Sequence, residues 1–143
     1  MSAAPMSPPI PYQARELLGS AARGLLEAYA TPDPARRYAT AHLAALRAAA
    51  AVLAARAHPV RRGGRIRSVW TLLPAVAPQM QEWAAFFAAN AARRAAAEAG
   101  LPVVSQREAD DLLRDAESFL AQVAAVIGVD QQSILPDDLQ DRR

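Results

Sequence analysis

Cysteine is absent, and so is lysine: all 16 basic side chains are arginine. Without cysteine, disulfides and thiolate metal centres are excluded. Histidine occurs only as His42 and His58, so imidazole supplies at most part of a metal site. Aromatic residues make up 6% of the chain, and runs of Val, Ile, Thr and aromatics that read as strands are missing. No stretch of about 18 apolar residues is free of charge, because Arg47 and Arg56 interrupt the best candidate. The opening MSAAPMSPPIPY lacks the basic start and apolar centre of a secretion signal. No serine or threonine stands beside a plausible base, so hydrolase chemistry has no support. The expectation is a cytoplasmic protein with no metal, no cofactor and no membrane segment.

Alanine fills the space these absences leave. The hydrophobic fraction of 52% overstates core-forming power for that reason. Alanine is the best helix former but buries little area per residue. Closely packed helices are favoured over a sheet, and 143 residues suit one domain. An arginine-only basic set beside so much alanine also fits a GC-rich coding bias, so arginine alone does not signal recognition. The distribution of charge is more telling. Residues 1–94 carry +8 and residues 95–143 carry −6. A basic front and an acidic back attract each other, within one chain or between two.

Residues 1–11 are proline-rich and are expected to form a disordered or extended tail. A first helix is predicted from about Tyr12 to Ala30, with Leu17, Leu18, Leu25, Leu26 and Tyr29 at helical spacing. Thr31–Pro34 breaks it. Asp33 then caps a second helix, Pro34 takes its first position, and it runs to about Ala57. The segment HPVRRGGR forbids continuation. Ser68 caps a short third helix, and a fourth runs from Pro78 to just before Gly100. Ser105 and Glu108 have capping-box spacing and open a fifth helix that stops at Gly128. The acidic stretch 129–143 reads as a flexible tail. The fold class is therefore all-α, an antiparallel up-and-down bundle of four to five helices over residues 12–128.

Few constellations carry chemistry. His42 follows Arg37 by five residues, about 140° around a helix. Helical neighbours sit three or four apart, so the two meet only if the helix start is distorted or a second subunit supplies the partner. Otherwise His42 is a partly buried histidine, hydrogen-bonded through one nitrogen. Arg61, Arg62, Arg65 and Arg67 lie in a basic loop that suits phosphate contacts. They lack interleaved aromatics and any phosphate-loop pattern, so a solvated loop is the plainer reading. Trp70, Trp83, Phe86 and Phe87 form either a partner-binding patch or the large members of an alanine-rich core. Tyr38 and Trp83 are the candidate partner-interface residues. Asp110, Asp111 and Asp115, with Arg114 beside them, read as a solvated helix start rather than a carboxylate metal site.

Three stretches together, RYATAHLAALRAAAAVLAARA, RSVWTLLPAVAPQMQEWAAFFAANAARRAAAEAG and READDLLRDAESFL, resemble an actinobacterial, SAV-type branch of the HEPN-domain family. The likeness covers roughly residues 14–128. It implies a bundle of four to five helices, often dimeric. Many such domains are metal-independent ribonucleases whose Arg-x(4–6)-His motif acts on the 2′-hydroxyl and the phosphate across a dimer. Others have lost the motif and bind RNA or protein, in stress, defence or toxin–antitoxin-like settings. The family motif usually sits late in the bundle, where this chain has Arg93 and Arg94 but no histidine. The formal match, Arg37 to His42, lies in the second helix instead.

Three readings follow. The favoured one is a non-catalytic HEPN-like module that binds a protein, RNA or a second copy of itself. The second is a dimeric, metal-independent ribonuclease using Arg37 and His42. The third is nucleic-acid binding, without chemistry, through the basic loop at residues 56–67.

Overall fold

The computed structural model describes residues 9–56, the backbone of 61–62 and 65–66, and residues 68–128. The expected tails therefore fall almost wholly outside the described residues. Helices α1 (Tyr12–Ala30) and α2 (Pro34–Ala55) form a tight hairpin. Helix α1 ends where the Thr31 hydroxyl donates to the Glu27 carbonyl at 2.7 Å. Helix α2 opens on Asp33, whose carboxylate accepts the Arg36 N–H at 2.9 Å. Proline at the first position loses nothing there, because that N–H has no intrahelical partner anyway. A minimal antiparallel ladder, β1 (Arg61–Arg62) against β2 (Arg65–Ile66), follows; no strand is expected there from the sequence.

Ser68 caps α3 (Val69–Val76) through the Trp70 N–H. The single fourth helix expected from Pro78 onward is divided. A 3-10 turn at Pro78–Met80 leads into α4 (Gln81–Ala89), and α5 (Ala91–Glu98) starts afresh after Asn90. Asn90 sits at φ −93°, ψ 0°, and its N–H turns back to the Phe87 carbonyl at 3.2 Å. Its side-chain amide donates to the Phe86 carbonyl at 2.9 Å. The bundle thus has six α-helices among the described residues instead of four to five.

Helix α5 closes at Gly100, with φ 82°, where the Leu101 N–H reaches the Ala96 carbonyl at 3.1 Å. That left-handed cap is a glycine position because a Cβ is penalised there. Helix α6 (Gln106–Ile127) opens on the full capping box, Ser105 and Glu108 each accepting the other's backbone N–H at 3.1 Å.

Helix α2 is the axis of the bundle and packs against α1, α3, α5 and α6. Tyr38, His42, Ala45, Ala49 and Leu53 are buried along it, and so are Ala41, Ala44, Ala48 and Ala51; Leu46 is partly buried and Arg56, just past its end, is exposed. That buried face is broad, and Arg36, Thr40, Leu43, Arg47 and Ala50 mark the side nearer solvent. By length and hydropathy α2 is the one helix among the described residues that passes for a membrane span, and 61% of that window is already buried in the bundle. The residues around it are small, so its neighbours come close. A Cβ added at Gly24 of α1 would meet the Ala44 Cβ at 3.2 Å.

Gly24→Val is therefore expected to destabilise the fold by about 1–3 kcal/mol through overpacking. In Gly24→Ala a gain of about 1 kcal/mol in helix propensity offsets milder crowding. Urea midpoints should place the alanine variant near wild type and the valine variant clearly below it; equal midpoints would refute the close approach.

Candidate functional site

Arg37 and His42 leave α2 in different directions. The Arg37 Nε–H is shared between the Ala28 and Thr31 carbonyls at 3.0 and 2.9 Å. Its Nη2 donates to the Tyr29 carbonyl at 3.1 Å and its Nη1 to Asp110 of α6 at 2.6 Å. The guanidinium satisfies the orphan carbonyls at the end of α1, where a cation also complements the helix dipole. It ties α1, α2 and α6 together, and its side chain is only 17% exposed.

His42 is 1% exposed. Its Nε2 lies 3.0 Å from the Phe87 carbonyl oxygen. A carbonyl only accepts, so Nε2 carries the proton and Nδ1 is the bare nitrogen of a neutral ring. Nδ1 is buried without a partner among the described residues. The ring packs edge-on against Trp70 and Phe87, with centroids at 6.0 and 5.7 Å. Burial pushes its pKa below the ordinary value. The bond to Phe87 opposes this, and of the nearby charges Arg94 lowers the pKa and Glu98 raises it. The bond gives the Phe87 carbonyl a second donor beside the Asn90 N–H, which reaches it at 3.2 Å where α4 breaks. Within one chain, then, Arg37 holds the end of α1 and His42 holds the end of α4.

The other sequence candidates are also placed. Arg93 pairs with Glu108, and Arg94 pairs with Glu98 at 2.7 Å. Asp111 pairs with Arg114 at 2.5 Å. Tyr38, expected at a partner interface, is 3% exposed because α2 is enclosed on that side as well. Trp83 stays half-buried at the surface, and its indole N–H donates to the Gln122 side-chain oxygen at 2.9 Å. The loop arginines Arg61, Arg62 and Arg65 have side chains outside the described residues, as does the whole of Arg67.

Trp70 and Phe87 join the core and stack 5.0 Å apart, with Phe119 5.1 Å from Phe87. Phe86, the fourth of the aromatic set, is instead exposed and lies edge-on to Trp83. These two side chains wall a groove between α4 and α6. One cavity of about 470 Å³ is lined by Gln79, Glu82, Trp83, Phe86, Asp115 and Gln122. A second, of about 180 Å³, shares Phe86 and Asp115 and continues past Asn90 to Arg93. Asp115 is partly buried between them, with no hydrogen-bond partner among the described residues. Burial first, and the neighbouring Asp111 second, raise its pKa; Arg114 pulls the other way.

The sequence model of the SAV_6107-like HEPN family matches residues 28–124. The chain belongs to the HEPN family. Comparison with curated proteins and with solved structures finds no match. The matched segment of this HEPN domain holds Arg37, His42 and the whole groove. Sequence reading takes Asp115 only as part of a solvated helix start and does not connect it with Trp83. The signal is present in spacing: Asp115 and Gln122 lie seven apart on α6, and Trp83 and Phe86 three apart on α4. Each pair shares a helix face. That the two faces oppose each other is tertiary information.

Proposed function

We propose that this HEPN domain is a non-catalytic interaction module that seats a protein partner in the α4–α6 groove. The observation that carries this reading is the structural employment of both motif residues. A general acid or base needs an accessible nitrogen within hydrogen-bond reach of its substrate. His42 offers one nitrogen committed to the Phe87 carbonyl and another enclosed by the core. Arg37 has three backbone carbonyls and a carboxylate as partners in place of a phosphate. A protein partner suits the groove better than RNA does, because Glu82 and Asp115 line it and repel phosphate.

The test is incubation of the purified protein with single-stranded and hairpin RNA in EDTA. The expected result is no cleavage above buffer over hours at micromolar protein. Cleavage that disappears in a folded His42→Gln variant would overturn the reading in favour of a ribonuclease assembled from two subunits.

A further inference from the structure

We propose that the α4–α6 groove is a docking site for an arginine side chain presented by a basic segment of a partner protein. This deepens the interaction-module reading and rests on it. The groove joins two features. One is an aromatic wall, with Trp83 and Phe86 in edge-on contact at a centroid distance of 6.2 Å and Phe86 open to solvent. The other is a carboxylate, Asp115, set between the two cavities. The other four acids of α6 are engaged: Glu108 with Arg93, Asp110 with Arg37 and Gln106, Asp111 with Arg114, and Glu117 with Tyr29. Asp115 is the one acid of α6 without a partner among the described residues, and it faces the groove.

A guanidinium answers both features. It is planar, weakly hydrated and forked, so it stacks on an aromatic face while bonding a carboxylate through two parallel N–H donors. An incoming cation would also relieve the unfavourable setting of Asp115, which combines partial burial with the nearby Asp111. Glu82 and Gln122 stand at the rim of the larger cavity and supply further acceptors. The one arginine at the far end, Arg93, already has Glu108 as its counter-ion. A volume of about 470 Å³ accommodates an arginine side chain with flanking backbone. A hydrated divalent cation is less well served, since no cluster of three metal-ligating side chains occurs among the described residues.

The experiment uses the full chain and three fluorescein-labelled nine-residue peptides of one design, carrying two arginines, two lysines or two citrullines at the same positions. Citrulline keeps the shape of arginine and removes its charge. Fluorescence anisotropy should show binding of the arginine peptide, at least fivefold weaker binding of the lysine peptide, and loss of binding for citrulline. Asp115→Asn should weaken the arginine peptide tenfold or more, and Phe86→Ala several-fold. Both side chains lie at the surface, and circular dichroism checks that each variant is folded. Glu16→Gln on α1 should bind as wild type does.

Equal affinity for arginine and citrulline peptides overturns the proposal, as does an Asp115→Asn variant that binds normally. A concentration-dependent dimer that dissolves in Asp115→Asn would give the groove to a second copy and would likewise overturn it. RNA cleavage dependent on His42 would fail the non-catalytic reading by itself, whatever the peptides do.

Discussion

Replacing His42 with alanine is expected to lower the unfolding free energy by about 2–4 kcal/mol at neutral pH, from lost core packing and the loss of a buried hydrogen bond to the Phe87 carbonyl. The imidazole packs edge-on against both Trp70 and Phe87, and its Nε2–H is bonded to the Phe87 carbonyl. Urea unfolding followed by tryptophan fluorescence measures the change. A loss under about 0.5 kcal/mol, the range of an ordinary surface substitution, would refute the capping role.

The same residue sets a pH dependence. The folded-state pKa of His42 is below its ordinary 6.5. Between the two values the unfolded chain binds the extra proton and the folded chain does not, so stability rises with pH. His42 thus costs nothing well above pH 6.5, and stability falls as the pH drops through that value. Glu108 and Asp110 are both held below their ordinary values, Glu108 first by the Ser105 backbone N–H and Asp110 first by Gln106. Their contributions are lost only below about pH 4.5, outside the histidine window. Stability curves from pH 7.5 to 5 should therefore slope for wild type and flatten for His42→Gln. Parallel curves would place the slope elsewhere.

Phe87→Ala should cost about 3–5 kcal/mol, the upper range for a core aromatic. Phe87 is fully buried and is the hub of the aromatic cluster. It stacks on Trp70 at 5.0 Å and on Trp83 at 5.9 Å, and meets Phe119 at 5.1 Å. Its carbonyl survives the substitution but its hold on the His42 ring does not. The double variant Phe87→Ala, His42→Ala should then lose less than the two single losses combined, because each removes part of the other's support. Strict additivity would argue that side chain and carbonyl act independently.

The parts of this fold that are legible in the sequence are those whose cause is local. Asp33 before Pro34, Ser105 three residues before Glu108, and Gly128 after Ile127 each satisfy a helix end with neighbours in the chain. The break at Asn90 is not legible. FFAANAARRAAA reads as one continuous helix, and one of the two donors to the Phe87 carbonyl at the break, His42, is 45 residues away. The breadth of the buried face of α2 is hidden for a different reason. Alanine carries little hydrophobic contrast, so the faces beside the Tyr38–His42–Leu53 stripe do not announce themselves. Arg37 shows the limit for function. Its spacing to His42 matches a family motif, while its partners are three carbonyls reached only once α1 has folded back on α2.

The central position of α2 has a consequence for synthesis. Its first companion, α1, precedes it, but α6, which covers another long side, begins only at Gln106 and ends at Ile127. At about 5–20 residues per second, roughly 4–14 s separate the completion of α2 from that of α6. During that interval the helix most like a membrane span stands with one flank bare. Slowing translation between residues 56 and 106 should cost soluble yield more than slowing it before residue 34.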